Sequence, residues 1–284
     1  MNLSVAGAQL GPYAGSFEAQ KCAIQELSRR LINENSPDLL ILPELISGPY
    51  FAIEEDSAWF DTAEEIPGPT SEFLCQIAKE YGCFVTGTLF HKNGSQYLNT
   101  AVLAKPDGTL GENYSKTHIP YICHGSTRNY ETFYFSGGEN FVIWEINGIN
   151  TGILICYDRS FPEAWRELRL RGADIVIVLA SSSGFRSTMF VQELQVRAVE
   201  NGVWVIAVNK GGDEYTLDDQ NPADFYGSSC VIGPDGEVKT RLGRVPWSGF
   251  YYDIDLSDLT ETRKKLGYYS ARRPDLYRSI SEPK

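Results

Sequence analysis

With 284 residues the chain is long enough for one large domain or two small ones, and its 42% hydrophobic content is that of an ordinary globular protein with a sizeable core. Its 37 acidic residues against 25 basic ones give a formal charge of −12, which repels phosphate backbones and anionic membranes, so nucleic acid is not an expected partner. The opening MNLSVAGAQL lacks a basic n-region and a long apolar h-region, and no stretch approaches the roughly 20 apolar residues of a membrane span; a cytoplasmic protein without a membrane partner is expected.

In chain order, apolar runs at 3–10, 39–42, 84–90, 98–104, 141–146, 150–156, 175–180, 203–209, 229–232 and 250–254 read as strands. Helical patterns fall between several of them, at 17–34 (Ile24, Leu27 and Leu31 on one face), 70–81, 161–171 and 189–201. The alternation predicts α/β layering. Asn147-Gly148 between two apolar runs, and Pro106-Asp107-Gly108 and Pro234-Asp235-Gly236 after two others, add hairpin chemistry, so the sheets should be mixed. AVLAKPDGTL and SCVIGPDGEV, one in each half, resemble each other and hint at an internal repeat of strand, turn and strand. No low-complexity linker divides the chain, which favours one domain over 1–263. Residues 264–284, rich in Tyr, Arg and Pro without helical period, read as an extended arm that packs on its own domain or reaches a neighbouring subunit.

Absences remove whole mechanisms. There is no HExxH, GxxxxGK[ST], GxGxxG or GxSxG, so metal, nucleotide and serine-elbow readings lose their support, and only His91, His118 and His124 are available for a histidine-based pair. The six cysteines are scattered without CxxC pairs, which favours free thiols.

Three positions stand out. Cys156 ends the run TGILIC, just before a helix-like segment that begins near Ser160. A thiol at such a strand–turn–helix junction, near unpaired backbone N–H groups, has a lowered pKa and suits a nucleophile; a buried core cysteine is the plainer alternative. Glu44 ends LLILPE, where a desolvated carboxylate serves as a general base or is held in a structural ion pair. Lys116, in NYSKTHIP, is either an ordinary exposed lysine or a donor to charge developing on a carbonyl oxygen.

The segments LILPEL, YSKTHIP and LICYDRSFPE, in that order, resemble the Glu-Lys-Cys motifs of the nitrilase, or carbon–nitrogen hydrolase, superfamily. The similarity continues through VAGAQLGP, GADIVIVLASSS, ENGVWVIAVNKGG and FYGSSCVIGPDGEV. It implies a four-layer α-β-β-α sandwich with two mixed sheets, no cofactor and no metal, and pairing through the outer helices into a homodimer or higher homo-oligomer. It also implies a Glu44, Lys116, Cys156 triad with a fourth residue, Glu131 in YETFYFSGG, orienting the lysine. Ser136-Gly137-Gly138 and the inserted-looking YICHGSTRN depart from the common pattern at the pocket rim.

Within the superfamily, CYDRSFPE and ARRPDLY look most like the branch that hydrolyses N-carbamoyl amines and N-carbamoyl amino acids. Arg159 then either pairs with a substrate carboxylate or forms a structural salt bridge. Tyr50, His118, Tyr157 (through its backbone N–H) and Ser181 complete the substrate-binding set that the resemblance implies. The expected activity is cysteine-dependent cleavage of a small non-peptide C–N substrate, releasing ammonia, carbon dioxide and amine from a carbamoyl compound. The alternatives are a simple amidase or nitrilase, and a non-catalytic scaffold of the same fold. An acidic pocket would favour a cationic amine such as carbamoylputrescine.

Overall fold

Leu39 and Ile41 face one way and Leu40 and Leu42 the other, and all four are fully buried; a strand with that pattern must be covered on both faces. This is the plan of the whole chain, seen in a computed structural model that describes residues 1–124, 127–215 and 222–282. Two six-stranded sheets face each other. The first runs in the order Ser248–Asp255, Asn2–Gln9, Leu39–Ile41, Phe84–Asn93, Gln96–Ala104, Tyr114–Ser115. The second runs Val238–Arg241, Cys230–Ile232, Trp204–Val208, Ile175–Leu179, Ile149–Ile155, Ile143–Ile146.

Each sheet has three parallel central strands and antiparallel edges. Leu3, Val5, Leu39 and Ile41 share the core between the sheets with Ile177, Leu179 and Val208. On the outer face of the first sheet, Leu40, Leu42 and Val85 meet Ile24, Leu27 and Leu31 of helix Phe17–Asn35, and Leu74 and Ile77 of helix Pro69–Tyr81. Trp165 and Leu168 of helix Pro162–Leu170, with Phe190 and Leu194 of helix Ser187–Asn201, join the core on the second sheet. The result is the α-β-β-α sandwich, with the expected strands and helices in place to within a few residues.

The turns follow their chemistry. Asn147 and Gly148 both have positive φ, 50° and 77°, the two-residue turn that a right-twisted hairpin prefers. In the two Pro-Asp-Gly turns the same bonds recur: Gly108 N to Lys105 O and Gly236 N to Gly233 O, with Asp107 and Asp235 each accepting from the backbone N–H two residues on. The resemblance between the two segments thus extends to their hydrogen bonding.

Three readings need correction. Sequence inspection assigned Cys156 to its strand, but the strand ends at Ile155 and Cys156 opens a 3-10 turn over Cys156–Ser160. The expected 263/264 boundary falls inside a helix, Leu259–Leu266; it buries only Leu259 and so carries no period to be read. Beyond Gly267 the arm holds short helical turns at Pro274–Leu276 and Arg278–Ser281 rather than extended chain, with residues 283–284 outside the described set. Two small antiparallel ribbons, Tyr121–His124 with Thr127–Tyr130 and Gly211–Glu214 with Ala223–Tyr226, have no apolar alternation to announce them. Gly125 and Ser126 of the inserted-looking segment lie outside the described residues.

Candidate active site

Parallel strands end on one side of each sheet, and side chains just past those ends converge there. Glu44 follows Leu39–Ile41, Cys156 follows Ile149–Ile155, Ser181 and Ser182 follow Ile175–Leu179, and Asn209 follows Trp204–Val208. Lys116 and Glu131 enter from the segments after Tyr114–Ser115 and Thr127–Tyr130.

Glu44, Lys116 and Glu131 are completely buried. Lys116 Nζ donates to Glu44 Oε1 at 2.9 Å and to Glu131 Oε1 and Oε2 at 2.8 and 2.6 Å. Burial opposes the Lys116 ammonium, but Glu131 and Glu44 outweigh it and hold its pKa above the ordinary lysine value. Glu131 itself is pushed up, by burial first and by Glu44, against the pull of Lys116. Glu44 also accepts from Asn99 Nδ2 at 2.8 Å and from Ser181 N at 2.8 Å, while Ser181 Oγ donates to the Glu44 carbonyl at 2.9 Å. An apolar run that ends in a carboxylate is tolerated here because every oxygen of that carboxylate has a donor.

Cys156 has φ +46°, a left-handed backbone that a side-chain-bearing residue rarely adopts. Strain of this kind concentrates at functional positions. The thiol lies at the cleft floor, 8% exposed, with Sγ 3.3 Å from Ser182 Oγ. Its pKa is pushed up from 9.0 to about 11, by burial first and then by Glu44, against the opposing effects of Lys116 and Arg159. The sequence-based expectation of a thiol lowered by a helix terminus is therefore wrong: the α-helix begins only at Pro162, and desolvation dominates.

Behind this floor, Ser182 N donates to Asn209 Oδ1 at 2.7 Å, Asn209 N to Ser229 Oγ at 2.9 Å, and Ser229 Oγ to Gln9 Oε1 at 2.8 Å. These bonds tie GAQL, LASSS, AVNK and GSSC to one another. Asp158 is fully buried and accepts from Tyr114 OH, Thr117 Oγ1 and His118 N at 2.7–2.9 Å, which pins the lysine segment to the cysteine turn. Gly138 N donates to the Lys116 carbonyl at 2.7 Å, and a Cβ on Gly138 would meet Ser115 O at 2.2 Å. The glycines of Ser136-Gly137-Gly138 are thus what allow that turn to lie on the lysine strand.

The remaining candidates divide. Tyr50, Tyr157, Arg159 and Ser181 line the cleft over Cys156. Tyr50 OH donates to Glu131 at 2.6 Å and accepts from Asn129 at 2.7 Å, and Ser181 has both its N–H and hydroxyl committed to Glu44. Arg159, 4% exposed, donates to the Cys156 carbonyl at 2.7 Å and pairs with Glu193 at 3.4 Å, the salt-bridge arrangement. His118 is not part of the cleft lining: its Nδ1 lies 2.8 Å from Asp158, and its ring stacks on Phe161 at 3.7 Å.

Several residues escaped sequence inspection. Asp158 and Asn129 owe their place to partners far along the chain, Tyr114 and Tyr50, and Arg128 and Arg186 reach the cleft from the ribbon Thr127–Tyr130 and the 3-10 turn Gly184–Arg186, which carry no motif. Glu214 accepts from the Tyr50 and Tyr13 backbone N–H groups and pairs with buried Lys210 at 3.2 Å, so it holds the loop that carries Tyr50. All six cysteines are free, and among the described residues no group of three or more His, Cys, Asp or Glu side chains is placed to hold a metal ion. No described helix is long and apolar enough to cross a membrane.

Comparison with known proteins gives a consistent result. The carbon-nitrogen hydrolase family matches residues 4–264. N-carbamoylputrescine amidase of Solanum lycopersicum is 28% identical over 267 residues, 88% of this chain and 86% of the relative. Citrullinase of Francisella tularensis is 28% identical over 288 residues, 98% of each chain. A carbon-nitrogen hydrolase from Helicobacter pylori G27 superposes with a TM-score of 0.92 at 26% identity, over 99% of each chain.

Proposed function

We propose, from the premise that the chain belongs to the carbon-nitrogen hydrolase family, that it hydrolyses a small ureido or amide compound with Cys156 as nucleophile, Glu44 as general acid and base, and Lys116 and Glu131 as their electrostatic support. One observation carries this reading: a thiol on a strained turn at the floor of the cleft, beside a fully buried Glu-Lys-Glu cluster whose charges add to the effect of burial on its ionisation. A passive scaffold has no use for three buried charges that face a thiol. Relatives named N-carbamoylputrescine amidase and citrullinase support a carbamoyl substrate, and a relative named nitrilase keeps the nitrile among the compounds to assay.

The steps follow from the groups present. With its pKa pushed above the ordinary thiol value, the resting Cys156 is protonated at neutral pH. Attack on the carbonyl carbon therefore proceeds as Glu44 takes the Sγ proton. The oxyanion develops beside the Lys116 charge. All three Lys116 hydrogen bonds go to carboxylates, so the Tyr157 N–H is the direct donor and Lys116 acts by its field unless one bond turns from Glu131. Collapse breaks the C–N bond, and Glu44 returns the proton to the departing ammonia or amine. Glu44 then takes a proton from water, the hydroxyl adds to the thioester, and Cys156 leaves as the thiol. A carbamoyl substrate ends as ammonia, carbon dioxide and amine.

The oligomer belongs to the same reading. A groove of about 1230 Å³ between the outer helices Pro162–Leu170 and Ser187–Asn201 and the arm exposes Leu170, Val196, Tyr268 and Ile280, and a second copy paired through these helices would cover it. A sedimentation measurement giving a monomer at micromolar concentration contradicts that pairing.

The activity is tested by ammonia release over N-carbamoyl amines, N-carbamoyl amino acids, simple amides and nitriles. Turnover of ureides or amides that disappears in Cys156→Ala supports the assignment, and silence over the whole panel overturns it.

A further inference from the structure

The cleft over Cys156 has a charge opposite to that of the chain. Of its fourteen lining residues three are arginines, Arg128, Arg159 and Arg186, and none is acidic, on a protein whose formal charge is −12. Local charge, not net charge, decides which ligand is attracted. Arg159 is turned inward: its Nη1 is taken by the Cys156 carbonyl, and it is nearly sealed from solvent. Arg186 is different. Its side chain is 29% exposed; Nη1 donates to Ser160 Oγ at 2.9 Å and Nη2 to Glu193 at 3.1 Å. Glu193 faces both guanidiniums, with Arg159 Nε at 3.4 Å, so one carboxylate is shared by two cations and the group keeps a net positive charge. Arg128 projects from the ribbon Thr127–Tyr130, is exposed, and has no ion pair among the described residues. Among the described residues, the acidic groups that face the cleft arginines or the thiol are Glu193, already shared by two guanidiniums, and Glu44 and Glu131 at the sealed floor, bound to Lys116.

We propose that Arg186 and Arg128 form an anion subsite at the mouth of the cleft, and that the substrate carries a carboxylate at the end remote from the C–N bond that is cleaved. This rests on the reading of Cys156 as nucleophile and extends it. The substrate lies with its ureido or amide group on the thiol and its acid group toward the rim, where guanidinium forks match carboxylate geometry. Arg159 keeps to the Cys156 turn, so the acid is recognised by one arginine from the ribbon Thr127–Tyr130 and one from the turn Gly184–Arg186, and not by the one next to the nucleophile. A ligand ending in an ammonium group is repelled by the same pair.

The test uses ureides and amides of one chain length that end in carboxylate, methyl or ammonium, assayed by ammonia release with the full-length protein. The carboxylate compound is expected to exceed the methyl compound in kcat/KM by about tenfold or more, as hydrogen bonds to charged groups do, with the ammonium compound lowest. Arg128→Gln and Arg186→Gln are each expected to reduce the carboxylate-to-methyl ratio by roughly tenfold, chiefly through KM, and added salt should narrow it in the unaltered protein. Arg128 is exposed, so its variant carries the test if the Arg186 variant does not fold. Equal turnover of the three ends, preference for ammonium, or a ratio unmoved in the folded variants overturns the subsite while leaving Cys156 hydrolysis intact. Turnover of none of the compounds overturns both.

Discussion

The floor and the rim of the cleft are built on different principles. At the floor, Glu44, Lys116 and Glu131 are wholly buried and every bond is paired, whereas at the rim Arg128 and Arg186 are partly open to solvent and under-neutralised. A buried ion cluster holds only if all its members are present, so the residues that set the chemistry are fixed together. The rim carries its charge on a small ribbon and a short turn, where, on the proposed reading, it selects a substrate without disturbing that cluster. On the proposed reading, the same fold keeps the reaction apart from the choice of substrate.

This contrast can be broken most severely at the thiol. Cys156→Ala should reduce ammonia release by at least about 10⁴-fold with no change in thermal midpoint beyond a degree or two, since only the nucleophile is removed. Glu44→Gln should follow, with a loss of roughly 10²–10⁴-fold in kcat, because no other group takes the thiol proton. If either variant retains near-normal turnover, the floor is not the seat of the chemistry.

Lys116→Met separates fold from catalysis. It leaves two carboxylates buried without their cation, which costs about 3–5 kcal/mol, and calorimetry should show a clear fall in Tm. An unshifted Tm would mean that the cluster is not held together by charge. Arg128→Gln at the rim should leave Tm within about a degree, and the pair of measurements sharpens the difference between the two regions.

The thiol titration offers a further check. Alkylation of Cys156 by iodoacetamide, followed by peptide mapping to separate it from the exposed Cys22 and Cys123, should still be rising at pH 10, as a pKa near 11 requires. A plateau below pH 8 would mean a thiolate already formed at rest. The sign for stability is the same: a folded value above the unfolded 9.0 contributes fully below pH 9 and is lost as pH rises through about 11. The smallest effect is expected at Tyr50→Phe, which removes one donor to Glu131 and should lower kcat about tenfold while Glu44 and Lys116 stay paired.

Sequence inspection reaches the floor far better than the rim, for physical reasons. A carboxylate that ends LLILPE and a cysteine that ends TGILIC contradict their apolar surroundings, and such contradictions mark function. Short runs of Val, Ile and Leu with turn residues between them were likewise enough to place both sheets. Arg128, Arg186 and Asp158 conflict with nothing nearby; their roles arise from partners 26 to 44 residues away or from a shared cleft. The direction of the Cys156 shift was misjudged because a helix terminus is visible in sequence, whereas the depth of burial that outweighs it is set by two sheets and their loops. Helix Leu259–Leu266 was missed for want of a buried stripe.

The central claim is that Cys156 forms the covalent intermediate. The unaltered protein mixed with a hydrolysable ureide or amide, quenched in acid during turnover, digested and weighed by mass spectrometry, measures this directly. A mass increment equal to the acyl or carbamoyl group on the peptide that holds Cys156 is the predicted result; an increment on any of the other five cysteines, or none while product still accumulates, would contradict it.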